Sequence, residues 1–412
     1  MGNPIKILSM DGGNGLNTAE LLAQLEHVDH RRFLDQTDIF AGTSAGGINS
    51  LFFASSNNPT DALLDIKNFW SKVNASILEG LESPAAQQAL QENQAFMAAA
   101  PPSPVDLGTF IRTAVGLSMA AWGLRSLFLN DAMKAFLLQR FGDMRLGDLK
   151  RYPVVIITFQ LDKQPASQST DQRSWAAKLY TNLDHSVHVS NGSVTRLPNP
   201  DMNERVVDVA MRTSAAPLEL PIYQTFYGSE GESGFVDGGL VANNPSMITL
   251  AAIVGSLANG TTSQPPQPAG ESLKEILMLS VGTGRNLIGT AQYLEAEFTN
   301  GSAAWGYQKW LLDPANPLVL VDAFLQGGNE SAAFQSRILL GDDNFNRLNV
   351  PIKNFLVPDD PRTREAAARS AEWLRNTGWY VPRPPAVGAA APVGTPAFGL
   401  TEGRGARLRS TK

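Results

Sequence analysis

Phe40-Ala41-Gly42-Thr43-Ser44-Ala45-Gly46-Gly47 decides how the chain is read. An apolar run ends at Phe40-Ala41 and reads as a buried strand. After Ser44 the apolar residues recur at helical spacing, at Ile48, Leu51 and Phe52. Between the two stands Gly42-Thr43-Ser44-Ala45-Gly46, the G-x-S-x-G spacing of a nucleophile elbow. A strand that reverses into a helix within one residue strains that residue and crowds its neighbours, which explains a glycine two positions to either side. The serine oxygen then projects at a helix N-terminus, where unpaired N–H groups favour negative charge. Taken alone, the five residues also describe a glycine-rich turn whose serine merely caps a helix.

The neighbouring stretches extend the pattern. Ile5 to Met10 is a strand closed by Asp11-Gly12-Gly13-Asn14-Gly15, and a helix starts at Asn17 or Thr18 with Leu21, Leu22 and Leu25 on one face. The second strand spans Asp38 to Thr43, its helix runs to about Ser55, and Thr60 opens another helix through Trp70. This order begins a three-layer α/β/α arrangement around a mostly parallel sheet. Strands resume at Val154 to Phe159 and near Lys178 to Thr181. A helix from Asn203 to Thr213 leads into Ser214-Ala215-Ala216-Pro217, Phe235-Val236 leads into Asp237-Gly238-Gly239, and Asn244-Pro245 opens a helix. Glu275 to Ser280 is a late strand, closed by Val281-Gly282-Thr283-Gly284.

These signals divide the chain into a catalytic domain over residues 1–290, a helical C-terminal region over 291–381 packed on it, and a disordered Pro/Gly/Ala tail over 382–412. A helical insertion interrupts the catalytic domain over about residues 74–141. Within it Thr113 to Leu124 is apolar and flanked by Arg112 and Arg125, which fits a core-facing helix or a lid lying on lipid.

Composition narrows the classes. Of 412 residues 43% are hydrophobic and 17% charged, an ordinary globular balance. A net charge of −6 leaves no nucleic-acid footprint. With no cysteine, disulfides and thiolate chemistry are excluded. No apolar run reaches the roughly 18 residues that span a bilayer, and a strand starting at Ile5 leaves no room for a cleaved leader. The expected location is cytoplasmic or peripheral at membranes, and nothing in the chain specifies an oligomeric state.

Chemistry gathers at the strand ends. The loop after the first strand can crowd its backbone N–H groups together because glycine has no Cβ, so it can cradle a phosphate or the oxyanion of an acyl intermediate. Thr18 stands where a dinucleotide fingerprint needs its further glycine, and no Gly-Lys-Ser/Thr follows. Beside an elbow the oxyanion reading is preferred. Ser44 needs a base. His27 and His30 close the first helix, and His185 and His188 lie in a polar stretch away from strand ends. Asp237 follows an apolar strand and precedes two glycines, at a sheet edge of the kind where ligands of open α/β sheets collect. Desolvated there, it can take the serine proton without an imidazole.

The chain resembles the patatin-like phospholipases over residues 4–290. The resemblance rests on five stretches in order: Leu8-Ser9-Met10-Asp11-Gly12-Gly13; Gly42 to Gly47; Arg212-Thr213-Ser214-Ala215-Ala216-Pro217; Phe235 to Gly239 with Asn243-Asn244-Pro245; and Ser280 to Gly284. It implies a lipid acyl hydrolase working through a Ser-Asp dyad, with Ser44 as nucleophile, Asp237 as base and the backbone of Gly12, Gly13 and Asn14 as oxyanion hole. A lipid substrate, peripheral membrane contact and no metal or organic cofactor are the corresponding expectations. In this family the first loop usually continues as glycines with an arginine shortly after; here Asn14, Gly15, Leu16 and Asn17 stand instead. Asn tolerates left-handed backbone better than most residues, so the loop is expected to keep its shape. The competing readings are a Ser-His-Asp esterase and a catalytically weak lipid-binding homologue.

Overall fold

A computed structural model of the protein describes residues 4–81, 130–163, 173–183, 187–190, 193–196, 199–225, 233–258, 273–286, 306, 310, 319–352 and 361–380. Its first strand, β1 (Ile5–Met10), lies parallel to β2 (Ile39–Thr43), with Leu8 opposite Phe40 and Met10 opposite Gly42. β3 (Val154–Lys163) continues the parallel set on the other side of β2, and β4 (Ser174–Thr181) returns antiparallel along β3. β5 (Val187–Ser190) and β6 (Ser193–Arg196) form a separate hairpin. β7 (Tyr223–Thr225) pairs antiparallel with β8 (Ser233–Asp237), which is itself antiparallel to β3. β9 (Ile276–Val281) lies parallel to β1. The two-residue β10 (Arg285–Asn286) pairs with β12 (Pro351–Ile352), and β11 (Phe345–Leu348) lies parallel to β9 at the sheet's edge. The main sheet runs β11-β9-β1-β2-β3-β8-β7, with β4 joined to β3.

The central strands are mostly apolar because both their faces are covered. Alternate residues go to opposite sides. Ile5, Ile7, Ile39, Ala41, Val155, Ile157, Ile276 and Met278 join one buried cluster, whereas Leu8, Met10, Phe40, Val154, Ile156, Leu277 and Leu279 join the other. The larger cluster is closed by α1 (Gly15–Asp29), α2 (Ala45–Ala54), α3 (Pro59–Leu81), α4 (Asp131–Phe141) and α5 (Val206–Thr213). The short α6 (Gly239–Ala242) follows β8. α7 (Ser246–Ala258) and α8 (Val319–Leu340) cover the other face, and α9 (Pro361–Asn376) rejoins the larger cluster beside α1. The expected three-layer α/β/α arrangement with a mostly parallel sheet is what the structure has.

Several details differ from the sequence reading. α1 starts at Gly15 rather than Asn17, because the Asn14 side chain accepts the Asn17 amide at 3.0 Å and caps the helix there. α3 continues unbroken through residue 74, burying Ala62, Leu63, Ile66, Phe69, Trp70 and Val73. The C-terminal region expected to be helical contributes β11 to the main sheet. Residues 82–129, with the Thr113 to Leu124 segment, and the 382–412 tail lie outside the described residues.

Candidate active site

Two strands meet head to head along one edge of β3. β2 pairs with Val154 to Ile157, and β8, running the opposite way, pairs with Thr158 to Gln160. The other edge of β3 is occupied by β4 at those same residues, so β2 and β8 share an edge. Their C-terminal ends therefore abut, Thr43 opposite Ile157 and Asp237 opposite Thr158. The residue after Thr43 is Ser44. This topology brings positions 44 and 237 together, although the chain between them carries several further elements.

Ser44 has φ +55° and ψ −125°, a strained conformation for a residue with a Cβ. Its neighbours impose it. A Cβ at Gly42 would stand 2.1 Å from the Gly46 carbonyl oxygen, and one at Gly46 would stand 2.3 Å from the carbonyl oxygen of Met10. Only glycines let α2 start this close to β1 and β2. The Ser44 amide donates to Thr213 Oγ1 at 2.9 Å, and that hydroxyl donates to the Ile157 carbonyl at 2.6 Å. Thr43 Oγ1 donates to the Ala242 carbonyl at 2.6 Å, tying the elbow to α6.

Asp237 is buried, and its carboxylate accepts the Gly239 amide at 2.7 Å, with the Ser44 hydroxyl near enough to favour its charged form. Burial pushes its carboxyl up to about 7, against the lowering effect of the Ser44 hydroxyl and the Gly239 amide. The residues after α5 hold the same segment, since the Asp237 amide donates to the Ala215 carbonyl at 2.9 Å and the Gly238 amide to the Thr213 carbonyl at 3.3 Å. Arg212 anchors this region from a fully buried position, donating to Glu204 at 2.8 Å, the Tyr180 hydroxyl at 2.8 Å and Thr225 Oγ1 at 2.9 Å.

The first glycine loop lies against Ser44, where a Cβ at Gly12 would come within 3.1 Å of the serine Cβ. The expected trio of amides is not equivalent. Gly12 N–H already donates to the Asn243 carbonyl at 2.9 Å, because this loop is stitched to the segment after α6. Among the described residues no acceptor takes the Gly13 or Asn14 amide. Gly13 alone adopts left-handed backbone, at φ +124°, whereas Asn14 is extended and caps α1. Asn14 thus supplies a helix cap rather than the left-handed position read from the sequence. Thr213 and Asn243 belong to motifs visible in the sequence, but their bonds to the elbow and the loop are not. Arg347, whose guanidinium binds the Asp11 carboxylate, had no signal at all in its polar surroundings.

The histidines are placed differently. His27 and His30 close α1, roughly 18 Å or more from its start at Gly15 by helical rise. His188 lies in the β5–β6 hairpin opposite Thr195, and His185 lies outside the described residues.

A family model described as patatin-like phospholipase matches residues 8–250, which hold the elbow, the first loop and Asp237. The chain belongs to the patatin-like phospholipase family. Relatives in this family include Patatin-like protein 2 of Arabidopsis thaliana, 25% identical over 91% of this chain and 80% of that protein. Protein teg of Priestia megaterium is 26% identical over 86% of this chain and 90% of its own. The cGAMP-activated phospholipase of Pseudomonas aeruginosa is 26% identical over 90% and 84%. Among solved structures, human GIVD cytosolic phospholipase A2 is 12% identical with a TM-score of 0.36, covering 91% of this chain and 60% of that one.

Proposed function

We propose that this protein is a lipid acyl hydrolase that cleaves carboxylic esters of phospholipids or glycolipids through Ser44 and Asp237. The observation that supports this reading is the meeting of β2 and β8 on β3, which sets the Ser44 elbow beside Asp237, a buried carboxyl pushed up to about 7. A base near neutrality can both take and return a proton at physiological pH. Ser44 Oγ attacks the acyl carbonyl carbon while its proton passes to Asp237. The oxyanion so formed lies against the Gly13 and Asn14 amides and the start of α2. Collapse expels the alcohol, which takes the proton back from Asp237, and leaves an acyl-enzyme. Water then attacks that ester, losing its proton to Asp237, and Ser44 leaves as the free hydroxyl with release of the fatty acid.

The side chains at the loop favour no single headgroup. Leu16 and Asn17 stand where the family's arginine would be, so a neutral glycolipid headgroup suits this loop as well as a phosphate does. Contact with a lipid surface is supported by the outer face of α8, where Phe324, Phe334 and Ile338 are 73%, 66% and 67% exposed and Glu330 and Arg337 stand to the side.

The test is fluorophosphonate labelling of the purified chain, with lipid products identified by mass spectrometry. Wild type is expected to be labelled at Ser44 and to release fatty acid, and Ser44→Ala to do neither. Fatty-acid release that survives Ser44→Ala, or that depends on a single histidine, would overturn the dyad. Lipid binding without turnover would indicate a binding protein.

A further inference from the structure

The first glycine loop is fastened from the far end of the chain, at two points. Asp11, the residue before Gly12, is buried, and its two carboxylate oxygens face the two terminal nitrogens of Arg347, Nη1 at 2.7 Å from Oδ1 and Nη2 on Oδ2. Nη1 also donates to Ser280 Oγ at 2.8 Å. Arg347 sits on β11 opposite Ser280 of β9, and β9 in turn lies beside β1, so the guanidinium reaches across an intervening strand. The second tether starts on α8. Asn329 Oδ1 accepts from Asn243 Nδ2 at 3.1 Å, and the Asn329 carbonyl accepts from Asn244 Nδ2 at 3.2 Å. Asn243 Nδ2 also donates to the Gly12 carbonyl at 3.3 Å. Both tethers come from residues beyond 250, where the family match ends.

We infer that Arg347 is a positioning residue for the acyl-transfer site: by holding Asp11 bidentately it aims the Gly13 and Asn14 amides at the oxyanion, with Asn329 bracing the same loop through Asn243. This rests on the function proposed above. The physical need is plain. A loop whose turn depends on a glycine at positive φ has many backbone states, and amides that stabilise an oxyanion must be fixed before the charge develops. A guanidinium–carboxylate fork fixes distance and plane together, which a single hydrogen bond does not. Fold stability alone is a poor reason for such a pair, because burying two charges is expensive. Burial in fact raises the Asp11 carboxyl despite the neighbouring guanidinium. Nor does Arg347 stand in for the arginine missing from the loop. Its terminal nitrogens are taken up by Asp11 and Ser280, and its side chain is only 10% exposed, so it offers a headgroup little.

The experiment uses the full chain and the variants Arg347→Met, Arg347→Lys and Asp11→Asn. Turnover of p-nitrophenyl butyrate is measured per phosphonate-titrated site, which removes misfolded molecules from the comparison. In parallel, hydrogen exchange is followed by mass spectrometry for peptides covering residues 5–16 and 45–54. Arg347→Met is expected to lose about 10²-fold in kcat per titrated site. KM should stay within about threefold and the pH midpoint should not move, since Arg347 acts through the loop and not through Asp237. Arg347→Lys, which keeps one of the two bonds, should fall between. Exchange should quicken in 5–16 and not in 45–54. Unchanged turnover per site, or unchanged exchange in 5–16, overturns the inference. Should Arg347→Met fail to fold, Arg347→Lys and Asp11→Asn carry both readouts. Should wild type neither label nor hydrolyse, the dyad reading falls and the exchange measurement alone judges Arg347.

Discussion

Asp237 is a carboxyl kept out of water with one hydroxyl and one amide for company, and two measurable consequences follow from its position near pKa 7. Below that pH the carboxyl is protonated and cannot take the serine proton, so kcat/KM is expected to rise with pH to a plateau with a midpoint near 7; a flat profile from pH 5 to 8 would contradict it. Asp237→Asn should lower kcat by about 10³-fold or more. The same substitution should stabilise the fold. The folded carboxyl is pushed up to about 7 against about 3.9 for a free aspartate, so the stability this one group contributes is fully present below that lower value and is lost as pH rises through about 7. The loss is on the order of 4 kcal/mol. The melting temperature of Asp237→Asn should therefore exceed that of wild type by a margin that widens between pH 4 and 8. Thr213 has a simpler role. Thr213→Val strands the part-buried Ser44 amide and the buried Ile157 carbonyl, at a cost of about 1–3 kcal/mol by chemical denaturation, while Thr213→Ser keeps both bonds.

At the scale of elements, the elbow exists because β1, β2 and the first turn of α2 pack closer than side chains allow. Gly46→Ala would drive a Cβ to 2.3 Å and 2.5 Å from the backbone oxygens of Met10 and Asp11, neither of which can give way. Loss of soluble folded protein, or destabilisation by about 3 kcal/mol or more, is expected from that methyl. Gly328→Ala in α8 is the contrasting case, with nothing within 4 Å and a helical backbone, and should gain about 0.5–1 kcal/mol. Equal effects of the two would mean that backbone crowding does not shape the elbow. The elements legible in the sequence share a property with this turn. β1, β2, the start of β3 and β9 are buried on both faces and read as short, mostly apolar runs, and glycines mark where β1, β2 and β9 end. The outer strands gave no such signal. β7 is three residues long, the first half of β4 is largely exposed, and β11 carries Asn346 and Arg347 at its centre.

For the molecule as a whole, α8 faces two ways. Its inner side bonds to Asn243, Asn244 and Ser246 behind the Asp237 segment, and its outer side presents Phe324, Phe334 and Ile338. Among the described residues no helix is long and apolar enough to cross a membrane, so any lipid contact there is by surface. Phe324→Asp combined with Phe334→Asp is expected to reduce hydrolysis of phospholipid vesicles by about tenfold or more while leaving a short soluble ester within about twofold, the residues being far more exposed than a packed core allows. A parallel loss on both substrates would assign those residues to folding instead.

The sequence alone settled what depends on neighbours a few residues away: the strand runs, the elbow with its glycines, Ser44 as the residue at its apex, and Asp237 as a carboxylate closing an apolar strand before two glycines. Periodicity and backbone sterics are local, so they can be read in order along the chain. Tertiary structure decided what those residues face. That β8 meets β2 end to end on one edge of β3, that the Gly12 amide belongs to Asn243 and so leaves Gly13 and Asn14, and that Arg347 reaches Asp11 across 336 positions all follow from the order in which strands join the sheet. Pairing order is set by the packing of the complete core, and a short polar strand such as β11 leaves no trace of it in the residues themselves.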